Sequence, residues 1–169
     1  MPTVNYSSKV ALVTGASSGM GFDFVMALLK EGYVVYAAAR RVERMAPLEA
    51  QGAILIRMDI TQEDQIQAAV DQITSKHGAL DVLINNAGFG LYGAVEDTSI
   101  DDARYQFEVN LFGLARCLTQ LLLPAMRERR RGKSSIFHPW VVRFIRPWGP
   151  GITPPNMHWK AGQIVCAWS

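Results

Sequence analysis

The chain has 169 residues, 49% of them hydrophobic, and a formal net charge of +2 from 17 basic and 15 acidic side chains. A chain of this length can bury one core, so one domain is expected, and this balance of charge argues against a nucleic-acid-binding or disordered protein. Its two cysteines, Cys117 and Cys166, are far apart in the sequence, which predicts neither a disulfide framework nor a metal site.

Four apolar, β-branched runs alternate with helical patterns along most of the chain. The predicted strands are residues 9–14, 33–39, 53–58 and 80–85. The predicted helices are residues 22–32, 41–52, 61–78 with Thr61 as N-cap, and a long helix from Ser99 or Asp101 to Arg131. This alternation predicts an α/β fold with a doubly wound parallel sheet, because right-handed crossovers place helices on both faces.

A glycine-rich turn joins the first predicted strand to the first predicted helix. Glycines allow a tight turn and a close backbone approach, and the helix N-terminus then faces the pyrophosphate of a dinucleotide. The glycines alone would fit a plain strand-to-helix turn equally well, but the elements on both sides favour a nucleotide site. The candidate cofactor-binding residues in this turn are Gly15, Ser17, Ser18, Gly19, Met20 and Gly21.

Two arginines, Arg40 and Arg41, directly follow the second predicted strand. At this point a dinucleotide fold that uses NAD carries a carboxylate, which binds the ribose 2′-hydroxyl. Guanidinium groups stand here instead, and they can bind a 2′-phosphate. The sequence therefore predicts NADP (NADPH) in preference to NAD, the alternative being a solvated basic pair at the start of a helix.

Together with three further motifs, these features resemble the classical short-chain dehydrogenase/reductase family. The further motifs are Asp59-Ile60 after the third strand, Asn-Asn-Ala-Gly at 85–88, and Asn110 in Phe-Glu-Val-Asn-Leu-Phe-Gly; all follow the family's order from about residue 9 to residue 132. The resemblance implies an incomplete Rossmann-type sheet of strand order 3-2-1-4, with room for a fifth strand.

The resemblance also assigns roles to these motifs. It implies that Asp59 meets the adenine and that Asn110 holds a proton-relay water as part of the catalytic machinery. Asn110 also fits a simpler role as a helix-kinking residue bonded to backbone, and the two roles are compatible. The residues implied to line the cofactor are Ile60, Asn86, Ala87 and Gly88.

The catalytic tyrosine and lysine of the family are missing from this sequence. In the family a tyrosine relays a proton, a lysine four residues later lowers the pKa of that tyrosine, and a serine binds the substrate oxygen. No tyrosine follows Tyr105, so no Tyr-x-x-x-Lys can form. Ser134 and Ser135 precede the expected serine position, and loop serines are more often simply polar.

The composition changes abruptly after position 132. All fifteen acidic residues lie at or before Glu128, whereas all four tryptophans and five of the eight prolines lie in 133–169. We therefore expect a dinucleotide-binding Rossmann domain at 1–132 and an atypical tail at 133–169. A strand at 140–145 is the element predicted there, and the proline-rich remainder has no clear period.

A frameshift explains the tail. Read one base out of step, the codons of residues 157–160 must encode Ala-Leu-Glu, which in the family follows Tyr-x-x-x-Lys. A serine can overlap Pro139, a tyrosine can overlap Ile152 thirteen positions later, and a lysine can overlap Asn156. Our hypothesis is that residues from about Lys133 onward are a frameshifted translation of a family member. Coding DNA without these codons in the other frame would exclude it.

Three functions are compatible with this sequence. The first is an NADP-dependent short-chain oxidoreductase that exchanges a hydride between nicotinamide and a small carbonyl or alcohol substrate. The second is an inactive family member that at best binds nucleotide weakly. The third, favoured least, is a non-enzymatic interaction protein with a basic, aromatic tail, because the tail lacks an amphipathic period.

The tail also bears on stability, assembly and location. Without its usual packing partner the long helix would expose an apolar stripe, so marginal stability is expected. The family forms homo-oligomers through this surface, which makes oligomerisation doubtful for this chain. The sequence shows no signal-peptide core and no membrane-length apolar run, so we expect a cytoplasmic location without membrane or nucleic-acid partners.

Overall fold

Strands and helices alternate through the computed structural model, which describes residues 9–91, 97–116, 121–130, 132–137 and 163–167. The strands are β1 (Val10–Thr14), β2 (Val34–Ala39), β3 (Ile54–Arg57), β4 (Val82–Asn85), β5 (Lys133–Phe137) and β6 (Gln163–Ala167). The helices are α1 (Gly19–Lys30), α2 (Ala46–Glu49), α3 (Glu63–His77), α4 (Ile100–Phe107), α5 (Gly113–Ala115) and α6 (Leu123–Glu128). A 3-10 turn (Val42–Met45) precedes α2, and a π-helical segment (Glu108–Phe112) joins α4 to α5.

The strands form one sheet in the order β3-β2-β1-β4-β5-β6. All neighbours from β3 to β5 pair in parallel, and β6 pairs antiparallel with β5 at the edge. The α/β Rossmann-type fold and the order 3-2-1-4 are therefore confirmed, and β5 occupies the place of the fifth strand. The antiparallel strand β6 was not predicted.

The core lies on both faces of the sheet, because successive side chains of a strand point to opposite sides. In β1, Leu12 packs on the face that also buries Ile66 of α3, whereas Val13 packs on the face that buries Val25 of α1. Every residue of β1 is buried. This two-sided burial explains why the predicted strands are continuous apolar runs rather than alternating ones.

A polar contact between β2 and α3 lies within the core. The hydroxyl of Tyr36 on β2 is 3.0 Å from Nε2 of His77 at the end of α3, and the two rings meet edge to face. Tyr36 is fully buried, and burial raises the pKa of its hydroxyl above the usual value. The hydrogen bond therefore satisfies a neutral phenol inside the core.

Two helix predictions are wrong in detail. The long helix expected up to Arg131 is not one regular α-helix, since α4 ends at Phe107 and a π-helical segment follows it. The N-cap of α3 is Gln62 rather than Thr61, and the Thr61 hydroxyl donates to Asp59 Oδ1 at 2.9 Å. The strand expected at 140–145 lies outside the described residues.

The helix predicted at 41–52 is a 3-10 turn followed by the four-residue helix α2. Three other predicted helix ends are found. Gly32 and Gly78 follow α1 and α3 with φ of 78° and 74°, the left-handed conformation that glycine adopts most readily. Ser99 caps α4, its side chain accepting from the backbone N–H of Asp102 at 3.0 Å. None of the helices in the described ranges combines the length and the apolar character that crossing a membrane requires.

Candidate functional site

A cavity of about 380 Å³ opens where β1, β2, β3 and β4 end. The sheet order reverses between β1 and β4, and ligands of open α/β sheets bind at this kind of switch point. The cavity size is within the range of small-molecule sites. Its lining residues are Thr14, Gly15, Ser17, Ser18, Met20, Ala38, Ala39, Arg40, Arg41, Met58, Asp59, Ile60, Asn86, Ala87, Gly88, Phe89, Gly90 and Val109.

The predicted cofactor-binding residues are brought together at this cavity, with two exceptions. Gly19, with φ of 56°, forms the first residue of α1, and Gly21 lies beneath the turn. A Cβ on Gly15 would lie 2.8 Å from the Cα of Ala87, and one on Gly21 would overlap the carbonyl oxygen of Gly15. Both Gly15 and Gly21 are therefore required by the space around them.

Hydrogen bonds tie the glycine-rich turn to the turn after β4. The hydroxyl of Thr14, which is buried, accepts from the backbone N–H groups of Asn86 and Ala87 at 3.1 Å each. The Asn86 side-chain amide donates back to the carbonyls of Thr14 and Gly15 at 3.3 and 3.2 Å. The two turns therefore form one fixed wall of the cavity, and the Asn86 side chain mainly stabilises that wall.

The N-terminus of α1 opens onto the same cavity. Ser17 and Ser18 line it, and Ser18 occupies the N-cap position without a side-chain capping bond. The first turn of α1 carries no acidic residue. Because helix N-termini attract negative charge, this end of the cavity suits an anionic group.

Arg40 and Arg41 line the cavity directly after the end of β2. Arg40 Nη1 donates to the Tyr105 hydroxyl at 2.7 Å and lies 3.9 Å from Asp59 Oδ2. The nearby carboxylate of Glu43 is bonded to Arg57 at 2.7 Å, and a backbone hydrogen bond together with this arginine lowers the pKa of Glu43. The Glu43 carboxylate is therefore paired with Arg57, and the guanidinium groups of Arg40 and Arg41 place positive charge beside the cavity.

Asp59 is held at the wall of the cavity by its own neighbours. Its Oδ1 accepts from the backbone N–H and the hydroxyl of Thr61, at 3.0 and 2.9 Å. Its backbone N–H donates to Gln65 Oε1 at 2.8 Å. Ile60 beside it is packed against Gly113, whose hydrogen is the only substituent that the Ile60 carbonyl leaves room for. These contacts fix the loop after β3.

Asn110 does not line the cavity but holds a segment that does. Its side chain is buried in the π-helical segment, where Oδ1 accepts from the Phe89 N–H at 3.0 Å. Its Nδ2 donates to the Phe89 carbonyl at 2.8 Å. The backbone-bonded role expected from the sequence is thus visible, whereas the proton-relay role stays a prediction.

Sequence reasoning missed several lining residues, of which Phe89 and Gly90 are the plainest. They directly follow Asn-Asn-Ala-Gly, so extending that motif by two positions would have found them. Val109 lines the cavity from the π-helical segment, whereas Tyr105 on α4 does not line it but contacts Arg40, a pairing that no local signal indicates. Ser134 is buried on β5 away from the cavity, and its hydroxyl has no hydrogen-bond partner among the described residues. Positions 152 and 156 lie outside the described ranges.

Comparisons with known proteins agree with this geometry. A family model described as short chain dehydrogenase matches residues 9–135. The probable short-chain type dehydrogenase/reductase VdlC of Helicobacter pylori is 37% identical over 124 residues, which cover 73% of this chain and 45% of that protein. The chain thus spans about half the length of this curated relative.

Solved structures match the same region. A short-chain dehydrogenase from Streptomyces avermitilis has a TM-score of 0.71 at 42% identity, covering 75% of this chain and 47% of that one. A metagenomic short-chain oxidoreductase in complex with NADP has a TM-score of 0.70 at 32% identity, covering 76% of this chain and 61% of that one.

Proposed function

The chain belongs to the short-chain dehydrogenase family, and we propose that its described part binds NADP in the cavity at the strand ends. The observation that carries this proposal is the arrangement of charge around the cavity. The N-terminus of α1 faces the cavity after β1, and Arg40 and Arg41 line it after the neighbouring strand β2. NADP carries negative charge on its pyrophosphate and on its 2′-phosphate. The helix N-terminus suits the first group, and the two arginines suit the second.

The residues present fit such a cofactor. Close approach of a pyrophosphate needs backbone without a side chain, and Gly15, which lines the cavity, supplies such a position. Ser17 and Ser18 would face the pyrophosphate, and Asp59 with Ile60 would border the adenosine. The relative solved with NADP shares the fold over this region.

Preference for NADP over NAD follows from the end of β2. Ala39 ends this strand, so no carboxylate stands there to bind a ribose 2′-hydroxyl or repel a phosphate. Arg40 and Arg41 offer guanidinium groups, which bind phosphate oxygens through charge-assisted hydrogen bonds. Asp59 lies nearby, but Oδ1 is already bonded to Thr61.

When bound, the nicotinamide of such a cofactor supplies or accepts a hydride. In the family, the substrate is a carbonyl or alcohol that also needs a proton at its oxygen, and a tyrosine relays this proton. No tyrosine follows Tyr105 in this sequence. We therefore propose that this chain binds the nucleotide without reducing a carbonyl, and that the frameshift at about Lys133 accounts for the difference. An active oxidoreductase is the alternative that the family favours.

Calorimetric titration tests this proposal. We expect NADPH to bind about 10-fold more tightly than NADH, because one or two hydrogen bonds to a charged group at an exposed site contribute about this much binding free energy. Arg40→Ala should remove most of this preference while changing NADH affinity little. Arg44→Ala is the matched control, since Arg44 is exposed in the neighbouring 3-10 turn and does not line the cavity.

Each outcome of the titration has a definite meaning. Equal affinity for the two nucleotides contradicts the NADP preference, and absence of binding contradicts the nucleotide site itself. Consumption of NADPH with a panel of carbonyl substrates would instead support the active-enzyme alternative. Carbonyl reduction would then need a proton donor other than the missing tyrosine.

A further inference from the structure

The side chain of Tyr105 on α4 contacts Arg40, which lines the cavity. The Tyr105 hydroxyl accepts a hydrogen bond of 2.7 Å from Arg40 Nη1, although the two residues are 65 positions apart. Tyr105 does not itself line the cavity. It therefore acts on the cavity through Arg40.

Tyr105 is in turn held by the wall of the cavity. Its ring lies against Phe89 with centroids 5.6 Å apart and planes tilted by 40°. The Phe89 backbone is fixed by both side-chain amide atoms of Asn110, and Gln106 Nε2 donates to the Phe89 carbonyl at 3.3 Å. Tyr105 is 42% exposed, but its contact with this fixed backbone limits where the phenol oxygen can lie.

Arg40 needs such an anchor because a carboxylate competes for it. Asp59 Oδ2 lies 3.9 Å from Nη1, a distance too long for a hydrogen bond but within ion-pair range. The Arg40 side chain is 58% exposed, so it could otherwise turn toward Asp59 or into solvent. The bond to Tyr105 occupies Nη1 alone and leaves Nη2 and Nε available for a ligand.

We propose that Tyr105 is a positioning residue for recognition of a ribose 2′-phosphate, acting by binding Nη1 of Arg40 so that the guanidinium stays beside the cavity and does not form a hydrogen bond with Asp59. This inference rests on the proposed NADP site. An arginine ordered before binding loses less side-chain entropy when the phosphate arrives, so binding is tighter. Tyr105 thereby contributes to the choice between phosphorylated and unphosphorylated nucleotides.

The test uses two small probes, adenosine 2′,5′-bisphosphate and adenosine 5′-monophosphate, which differ only in the 2′-phosphate. Titration calorimetry with the full chain compares the original protein with Tyr105→Phe, which keeps the ring on Phe89 and removes only the hydroxyl. We expect the bisphosphate to bind about 3- to 10-fold more weakly and the monophosphate to change less than about 2-fold. Tyr33→Phe is the matched control, because the Tyr33 ring lies 5.8 Å from Lys9 Nζ, away from the cavity.

A double-mutant cycle with Arg40→Ala shows whether Tyr105 acts through Arg40. In the Arg40→Ala background, Tyr105→Phe should leave bisphosphate affinity unchanged, because the group that it positions is absent. Equal weakening of both probes, tighter bisphosphate binding, or a persistent effect without Arg40 would each overturn the inference.

The inference and the proposed function fail in different ways. If the original chain shows no preference for the bisphosphate, both fail. If the preference exists and depends on Arg40, yet Tyr105→Phe does not change it, only the positioning role of Tyr105 is wrong.

Discussion

Gly21 lies where no side chain fits, although its backbone is that of an ordinary helix. A Cβ there would overlap the Gly15 carbonyl and lie 2.5 Å from Nδ2 of Asn86, a group held by two hydrogen bonds. Helix propensity favours alanine over glycine by about 1 kcal/mol, but overpacking against backbone costs about 1–3 kcal/mol. We expect Gly21→Ala to lower the free energy of unfolding and to weaken NADPH binding, because the two turns must separate.

Gly19→Ala is the comparison for this prediction. Gly19 has φ of 56°, but no atom lies within 4 Å of the position that a Cβ would take, so alanine there meets only the backbone cost of about 1 kcal/mol. Urea unfolding of both variants measures the difference. A Gly21→Ala protein as stable as the original would show that the turn can shift freely.

The π-helical segment is the element that couples α4 to the cavity. Asn110 lies within it and bonds both the N–H and the carbonyl of Phe89, and π-helical turns often occur at functional sites. Asn110→Leu keeps similar volume but leaves the Phe89 N–H unpaired, at about 1–3 kcal/mol, and leaves the Phe89 carbonyl only its 3.3 Å bond from Gln106. We expect a lower urea midpoint and weaker NADPH binding, because Phe89 and Gly90 border the cavity.

The outcome shows whether Asn110 supports the cavity wall. Gln67→Leu is the control, since the Gln67 amide donates to Asp71 on the exposed side of α3. If Asn110→Leu leaves both stability and binding unchanged, the hydrogen bonds to Phe89 do not support the cavity wall.

How well each element could be predicted depends on where its signal lies. The first four strands are continuous apolar runs because both faces of the sheet bury them, and the glycines at positions 32 and 78 mark helix ends locally. The segment Gln163–Ala167 follows a proline-rich stretch without a clear period, so β6 was not expected. The π-helical segment was not expected either, because the apolar residues keep helical spacing through it.

The residues of the site also differ in how well the sequence predicts them. The glycine-rich turn, Arg40 and Asp59 follow strand ends, and strand ends of a parallel sheet meet at one edge, so their meeting at the cavity could be inferred. The bond from Arg40 to Tyr105 could not, because it depends on the exact approach of α4 to β2. Spacing alone does not encode such a contact.

At the scale of the whole molecule, the helical region after residue 99 leaves large apolar side chains in solvent. Ile100, Phe107 and Phe112 are 66%, 58% and 49% exposed. Burying an exposed phenylalanine stabilises an association by about 1.5–3 kcal/mol, so this surface favours contact between molecules. We expect the protein to self-associate as its concentration rises.

Replacing Phe107 and Phe112 together by serine should weaken that association about tenfold or more, since two apolar contacts are lost. Sedimentation velocity over a concentration series measures it, and NADPH affinity should stay unchanged because neither residue lines the cavity. Met26→Ser is the matched control, because Met26 is also an exposed apolar residue, 37% accessible, but lies on α1, the helix that packs on the opposite face of the sheet. If the double variant associates as strongly as the original chain, the contact between molecules must form through another surface.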